Sequence, residues 1–368
     1  MFLGVDVSTY FDELSINKKY YKNGQEVDPM DVFAKQGVKY MRIRVWVDPY
    51  GENGEPYMAG TNDIKKFKDL ADLAVKYGMK IILCLHYSDF WADPGKQFTP
   101  KSWVGLSFEE IEQKVYSFTK EVFEVINENK YPVEIVQVGN EITNGMIWPY
   151  GQLDGSKTPR GGYDKLSRLL ISGIKAVKES SNARIAIHLE RSYDQYIYRE
   201  FFDNIIRYGV EFDIIAMSYY PYWHGTLDEL FANIKMCQER YKKDVAIIEL
   251  GGGFTVEDYI VNGSHAKMMF DRGNIDQFNR QLDYPITIEG QAAFLEDVLK
   301  RAKAANVLGV CYWEPLWLPG DGMVWASKAA QKYIHDESKN TLNEWANQCL
   351  YDYDGNALPS LERFKIDD

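Results

Sequence analysis

The sequence predicts an α/β fold, a single (β/α)8 TIM barrel over residues 1–368 with extended loops on the C-terminal face. Three observations predict it. Eight short apolar runs recur along the chain, longer amphipathic segments lie between them, and polar or aromatic residues stand just past the end of almost every run. Strand, crossover helix and strand make a parallel unit, and eight such units close most simply into a barrel whose functional groups collect at the strand C-termini. No glycine-rich GxGxxG turn follows the first run, which weighs against an open dinucleotide-binding sheet.

The runs are "FLGVDV" at 2–7, "YMRIRV" at 40–45, "KIILCL" at 80–85, "IVQV" at 135–138, "ARIAI" at 183–187, "FDIIAM" at 212–217, "VAIIE" at 245–249 and "LGVCYW" at 308–313. Such lengths suit parallel strands buried on both faces. Between the second and third, Ile64, Phe67, Leu70, Ala71, Ala74 and Val75 recur at helical spacing before a stop at Gly78. Residues 108–129 and 290–306 repeat that pattern. The stretches 46–62, 86–107, 144–162, 250–289 and 314–347 are then loops on the catalytic face.

Composition bounds the function. With 45% hydrophobic residues, 26% charged and no low-complexity tract, the chain can build a large core. A net charge of -12 with interspersed bases argues against nucleic acid as a partner. No apolar run approaches the roughly 20 residues that span a bilayer, and the start "MFLGVDVSTYF" has no basic region or cleavage site of a secretion signal. Cys84, Cys237, Cys311 and Cys349 lie far apart and read as free thiols, because a chain of this size needs no disulfide staple. Aromatic residues reach 14%, a supply of flat apolar faces that suits sugar rings or a large core equally.

Two carboxylates carry the chemistry. Glu141 follows the fourth strand in "IVQVGNEITNGM" and Glu249 ends the seventh in "VAIIELGGG", so a closed barrel brings both to one mouth. One can hold a proton for a leaving oxygen while the other stays ionised, the minimum for cleaving a glycosidic bond. Asn140, beside Glu141, can donate to a sugar hydroxyl or to the opposite carboxylate. Glu141 could equally be an acid at a helix N-terminus, whereas a carboxylate after the apolar run of Glu249 needs a partner or a task.

Asp6, Arg44, His86, His188, Tyr219 and Trp313 also stand at strand ends. Arg44 can orient a carboxylate, Tyr219 can donate to the nucleophile, and Trp313 can floor a pyranose ring. Each also has an ordinary use as a structural salt bridge, core histidine or core plug. The stretch "HYSDFWADPGKQ" at 86–97, containing Trp91, is a long polar and aromatic loop whose "DPGK" is also a plain turn signal, and "SYYPYWHG" at 218–225, containing Trp223 and His224, reads as a sugar-stacking wall or a packed loop. No CxxC or HExxH spacing suggests a catalytic metal, and no GxSxG elbow suggests a serine nucleophile. The run Gly251 to Gly253 implies a close approach of backbone to ligand or a mobile loop.

Several long stretches carry a resemblance: "GVDVSTY", "GVKYMRIRVWVDP", "HYSDFWADPGKQFTPKSW", "VQVGNEITNGMIWPYG", "FDIIAMSYYPYWHGTL" and "GVCYWEPLW". On these the chain resembles the arabinogalactan endo-β-1,4-galactanases, glycoside hydrolase family 53, among the retaining (β/α)8 glycosidases. The resemblance implies an endo-acting enzyme that cleaves β-1,4-galactosidic bonds in galactan or arabinogalactan, with Glu141 as acid/base and Glu249 as nucleophile. It places Arg44, His86, Trp91, Trp223 and Trp313 on the sugar-binding surface, and a retaining pair sets the carboxyl separation at about 5–5.5 Å. It also implies a monomer acting outside the cell or at its surface, with no required cofactor. A structural calcium, found in some bacterial members, would fall near Asp258, Asn262, Ser264 and His265. Two departures, "LGGGFTVEDY" after Glu249 and "HLERSYDQY" at 188–196, lie on the substrate face and bear on subsite specificity. Retaining hydrolysis of another β-glycan such as mannan, and non-catalytic carbohydrate binding, are the competing readings.

Overall fold

Eight parallel strands close into a barrel in chain order in the computed structural model, which describes residues 1–277, 282–337 and 342–365. They are β1 (Phe2–Asp6), β2 (Tyr40–Val45), β3 (Lys80–Leu85), β4 (Val133–Val138), β5 (Arg184–Leu189), β6 (Ile214–Tyr219), β7 (Asp244–Leu250) and β8 (Gly309–Trp313). Closure is made by β8 against β1, from Phe2 opposite Gly309 to Asp6 opposite Trp313. Each of the eight apolar runs is a barrel strand. Edges shift by a residue or two, because a run's polar ends still pair with neighbouring backbone.

Around the barrel lie α1 (Pro29–Lys35), α2 (Ile64–Lys76), α3 (Phe108–Asn129), α4 (Tyr163–Ser180), α5 (Gln195–Arg207), α6 (Leu227–Tyr241), α7 (Ile288–Ala304) and the short α8 (Pro359–Arg363). Their starts are written locally. Asp63 accepts from the Lys66 amide at the head of α2, and Ser107 with Glu110 forms a reciprocal capping box at α3, as Thr226 and Glu229 do at α6. The apolar helix faces pack on the outward side chains of the strands in one continuous core. Among the described residues, no helix is long and apolar enough to cross a membrane.

The inside of the barrel is layered. Its lower part holds Ile82, Ile135, Ala186, Ile214, Ala216, Ala246, Ile248 and Cys311, all buried. Large and small side chains alternate there because facing strands leave a fixed volume. At Gly4 even a methyl group would sit 2.5 Å from the Cys311 sulfur, which explains the small residue on β1. One step higher along the same inward rows stand Asp6, Arg42, Arg44, Cys84, Gln137 and His188, so the interior changes from apolar to charged between successive inward positions. Ile214→Ala should therefore cost about 2–5 kcal/mol, seen as a lower thermal midpoint, while KM stays near wild type because the lost methyl groups lie below the charged layer.

Candidate active site

The charged layer opens into a cleft of about 430 Å³ at the C-terminal mouth, lined by Glu141 and Glu249 together with Arg42, Arg44, Asn140 and Tyr220. Glu249 reaches it through a β-bulge. Met217 on β6 pairs with Ile247 on β7, but the next residue, Ser218, pairs with Glu249, leaving Ile248 as the extra residue. Ile248 fills the barrel floor while Glu249, its immediate neighbour, is also turned inward, which simple alternation forbids and a bulge allows.

The Glu249 carboxylate is gripped on both oxygens. Arg42 Nη2 lies 2.8 Å from Oε1, and the Tyr220 hydroxyl donates to Oε2 at 3.0 Å. Burial pushes its pKa up, and Arg42 and Tyr220 pull the other way by stabilising the ionised form. Arg42 is itself fully engaged. Its Nη1 donates to Asp6 Oδ2 at 2.7 Å, Nη2 to Asn140 Oδ1 at 2.7 Å, and Nε to Gln137 Oε1 at 3.2 Å.

Glu141 sits in different surroundings. Burial first, then the charges of Glu249 and Glu190, push its carboxyl well above the usual range. Among the described residues, no cation pairs with its carboxylate as Arg42 pairs with Glu249. Ser218 Oγ donates to Oε1 at 2.6 Å, and His188 Nε2 donates to Ser218 Oγ at 2.8 Å. The tautomer follows from the other ring nitrogen: His188 Nδ1 accepts from Gln137 Nε2 at 2.9 Å and faces the Glu141 amide at 3.4 Å. Burial keeps this histidine neutral, with its pKa well below the ordinary value. Burial raises both carboxyls, but Glu249 less, because Arg42 and Tyr220 favour its ionised form; Glu141 is the readier of the two to hold a proton.

Aromatic rings line the remaining walls. Trp91, Trp313, Trp345 and Trp223 form a run, with centroids 6.0 Å apart between Trp91 and Trp313, 5.5 Å between Trp313 and Trp345, and 5.7 Å between Trp345 and Trp223. Trp313 is 8% exposed at the floor and Trp223 38% exposed at the rim. Arg44 stacks on the Trp91 ring at 4.2 Å. His86 Nδ1 accepts from Trp46 Nε1 and from the Ala92 amide, so this neutral ring carries its proton on Nε2.

Of the sequence-predicted residues, Arg44, His86, Trp91, Asn140, Trp223, His224 and Trp313 share this cleft with Glu141 and Glu249. Three do not line it. Asp6 is fully buried beneath, bound to both Arg42 and Arg44, and His188 is sealed under Ser218. Tyr219 is the clearest correction: it faces outward, donates to the Gly225 carbonyl at 2.9 Å and stacks on Phe294 of α7. The hydroxyl expected from it is supplied by Tyr220, one residue on, because Ala216, Ser218 and Tyr220 share the inward face. The cation expected from Arg44 is likewise supplied by Arg42, while Arg44 pairs with Glu314 at 2.6 Å.

Sequence reasoning also missed Gln137, Ser218, Glu190 and Glu314. Gln137 had a signal, a lone amide in an apolar strand; Glu190 and Glu314 each follow an inward strand end by one or two residues. Burial pushes the carboxyls of both glutamates up to about 7. The glycine run after β7 has a packing reason. A Cβ at Gly251 would lie 2.8 Å from the Tyr220 ring, so the backbone closes on the residue that holds Glu249 rather than on a ligand. The four cysteines are free and buried. The residues named for calcium lie around the hairpin made by Tyr259–Val261 and Ser264–Ala266: Asp258 accepts from the Met268 amide and pairs with His265, and Asn262 lies in its turn. No group of three or more acidic, histidine or cysteine residues suited to a metal occurs among the described residues.

Known proteins match this geometry over nearly the whole chain. The model of glycosyl hydrolase family 53 matches residues 2–364. The endo-beta-1,4-galactanase of Bacillus subtilis is 33% identical over 98% of this chain and 85% of its own length. Arabinogalactan endo-beta-1,4-galactanase A of Emericella nidulans is 30% identical over 93% and 91%. Among solved structures, the GH53 catalytic domain of Ignisphaera aggregans superposes with a TM-score of 0.86 at 36% identity, covering 98% of this chain and 94% of that one. A fungal beta-1,4-galactanase superposes with a TM-score of 0.76 at 26% identity, covering 99% and 98%. The chain is a member of glycosyl hydrolase family 53 and a glycoside hydrolase.

Proposed function

We propose that the protein is an endo-acting, retaining β-1,4-galactanase that cuts galactan or arabinogalactan outside the cell or at its surface. The observation that carries the mechanism is the unequal pair in one cleft: Glu141, pushed well up by burial with a neutral hydroxyl beside it, and Glu249, gripped by Arg42 and Tyr220. The names of the related galactanases support the substrate, and the run of tryptophans from floor to rim supports a chain-binding groove.

In this mechanism Glu249 attacks the anomeric carbon while Glu141 protonates the departing glycosidic oxygen. Glu141 then takes a proton from a water that releases the glycosyl enzyme. Charge leaves Glu249 as its bond to sugar forms, and Arg42 stays neutralised by Asp6 throughout. Tyr220, which already donates to Glu249, stands where it can follow that shift with its hydrogen bond. The same machinery could serve mannan. A non-catalytic carbohydrate-binding protein would have no use for two carboxyls with divided protonation.

Reducing-sugar release across galactan, arabinogalactan, mannan and cellulose tests the substrate, with oligosaccharides from linear galactan expected; activity confined to mannan would sink the galactanase reading. Glu141→Ala should lower polymer hydrolysis by about 10²- to 10⁴-fold, yet an activated aryl glycoside should still glycosylate Glu249. Added azide should then give the β-glycosyl azide, whereas Glu249→Ala should give the α-anomer or nothing. Exchanged anomers would reverse the two roles.

A pH prediction follows from Ser218. Its donated hydrogen bond lowers the pKa of Glu141, so Ser218→Ala should raise it further. Because the acid must be protonated to act, the alkaline limb of the kcat/KM profile should move to higher pH, while the acidic limb, set by ionised Glu249, stays nearly fixed. An alkaline limb displaced downward would contradict this assignment.

A further inference from the structure

A second groove, of about 850 Å³, lies on the same face of the barrel behind the wall of the cleft. The two share a ridge. Asp93, Pro94 and Lys96 face the cleft, while Phe98 and Thr99, a few residues on, face the groove. Trp325 and Ser327 divide in the same way. Gln97 ties the ridge together, donating to the Asn140 carbonyl at 2.8 Å and accepting from the Trp148 amide at 2.6 Å.

The groove is built of aromatic rings whose polar edges are already satisfied. Trp148 Nε1 donates to the Asn144 carbonyl at 3.1 Å, and the Tyr150 hydroxyl donates to the Leu106 carbonyl at 2.8 Å. Both rings are half-buried and line the groove. Fixed edges leave ring faces as the available surface, and a rigid flat apolar face suits the axial C–H groups of a sugar ring. Charge along the groove is mixed: Lys101, Lys328 and Lys332 stand with Glu52 and Glu55, Lys332 lies 3.5 Å from Glu52, and Lys101 pairs at 3.0 Å with Asp89 buried behind the wall. Such interspersed charge supplies donors and acceptors for hydroxyl groups without a field of one sign.

We propose that this groove is a second binding site for the polysaccharide, taking a neutral β-linked hexopyranose segment remote from the scissile bond. It rests on the galactanase reading for the identity of the sugar. Continuity with the cleft across one ridge lets a single polymer occupy both, so that binding in the groove raises the local concentration of chain at the catalytic carboxylates. A short oligosaccharide that fills the cleft alone gains nothing from it.

Affinity electrophoresis through soluble galactan measures the groove, with hydrolysis blocked by Glu249→Gln. Trp148→Ala removes a stacking face. Val104→Arg, at an exposed position on the groove wall, crowds the groove without touching the core. Each change, added to Glu249→Gln, should weaken retention about tenfold, a loss of ~1.4 kcal/mol. With Glu249 intact, each should raise KM on galactan while kcat/KM on galactotetraose stays near wild type. Unchanged retention in both variants overturns the second site. Equal losses on polymer and tetrasaccharide in both variants also overturn it, since the ridge would then be acting only through the cleft. Wild-type cleavage of mannan but not galactan would instead overturn the substrate reading, and the same retention comparison in mannan would decide the groove.

Discussion

Burying a guanidinium inside a barrel is costly unless every donor finds an acceptor, and Arg42 meets that condition with Asp6, Gln137, Asn140 and Glu249. The site is organised around this one cation. It fixes the nucleophile's carboxylate, orients the amide beside the acid, and shares Asp6 with Arg44, which extends the network to Glu314. Removing Asp6 or Glu249 unbalances a buried charge, and removing Gln137 or Asn140 leaves a buried donor unsatisfied, so these residues act as a unit.

The asymmetry of the two carboxyls follows from where that cation is. Arg42 touches Glu249 and stops at Asn140, one residue short of Glu141. Among the described residues, the Glu141 carboxyl receives a neutral hydroxyl from Ser218, itself oriented by a neutral histidine. Desolvation therefore acts on both groups, but opposing charge acts on one.

Backbone geometry aims these side chains at some energetic expense. Tyr87, Glu141, Arg191 and Glu314, each just beyond a strand, have φ of 51°, 48°, 48° and 47°, a left-handed conformation that non-glycine residues seldom adopt. Such positions cost on the order of 1–3 kcal/mol each and persist where surrounding packing over-determines them. Together with the bulge at Ile248, they turn the chain away from regular pleating at the height where the barrel stops being core and becomes cleft.

The amino-acid sequence by itself determined the eight strands, the helical patterns around 64–76, 108–129 and 290–306, and the two carboxylates, because apolar periodicity acts over a few neighbouring residues. It also carried the aromatic loops, since ring-rich segments outside a helical or alternating pattern stand out locally. The choice between adjacent residues was made only in three dimensions. Whether Tyr219 or Tyr220 reaches Glu249 depends on which side of β6 faces the axis, and whether Arg42 or Arg44 does so depends on depth along β2. Both are set by how eight strands stagger on closing. Glu249 facing inward next to Ile248 needed a bulge that no hydrophobic pattern announces. The role of Gly251 likewise required Tyr220 to be in place, because the side chain that the glycine admits comes from a different strand.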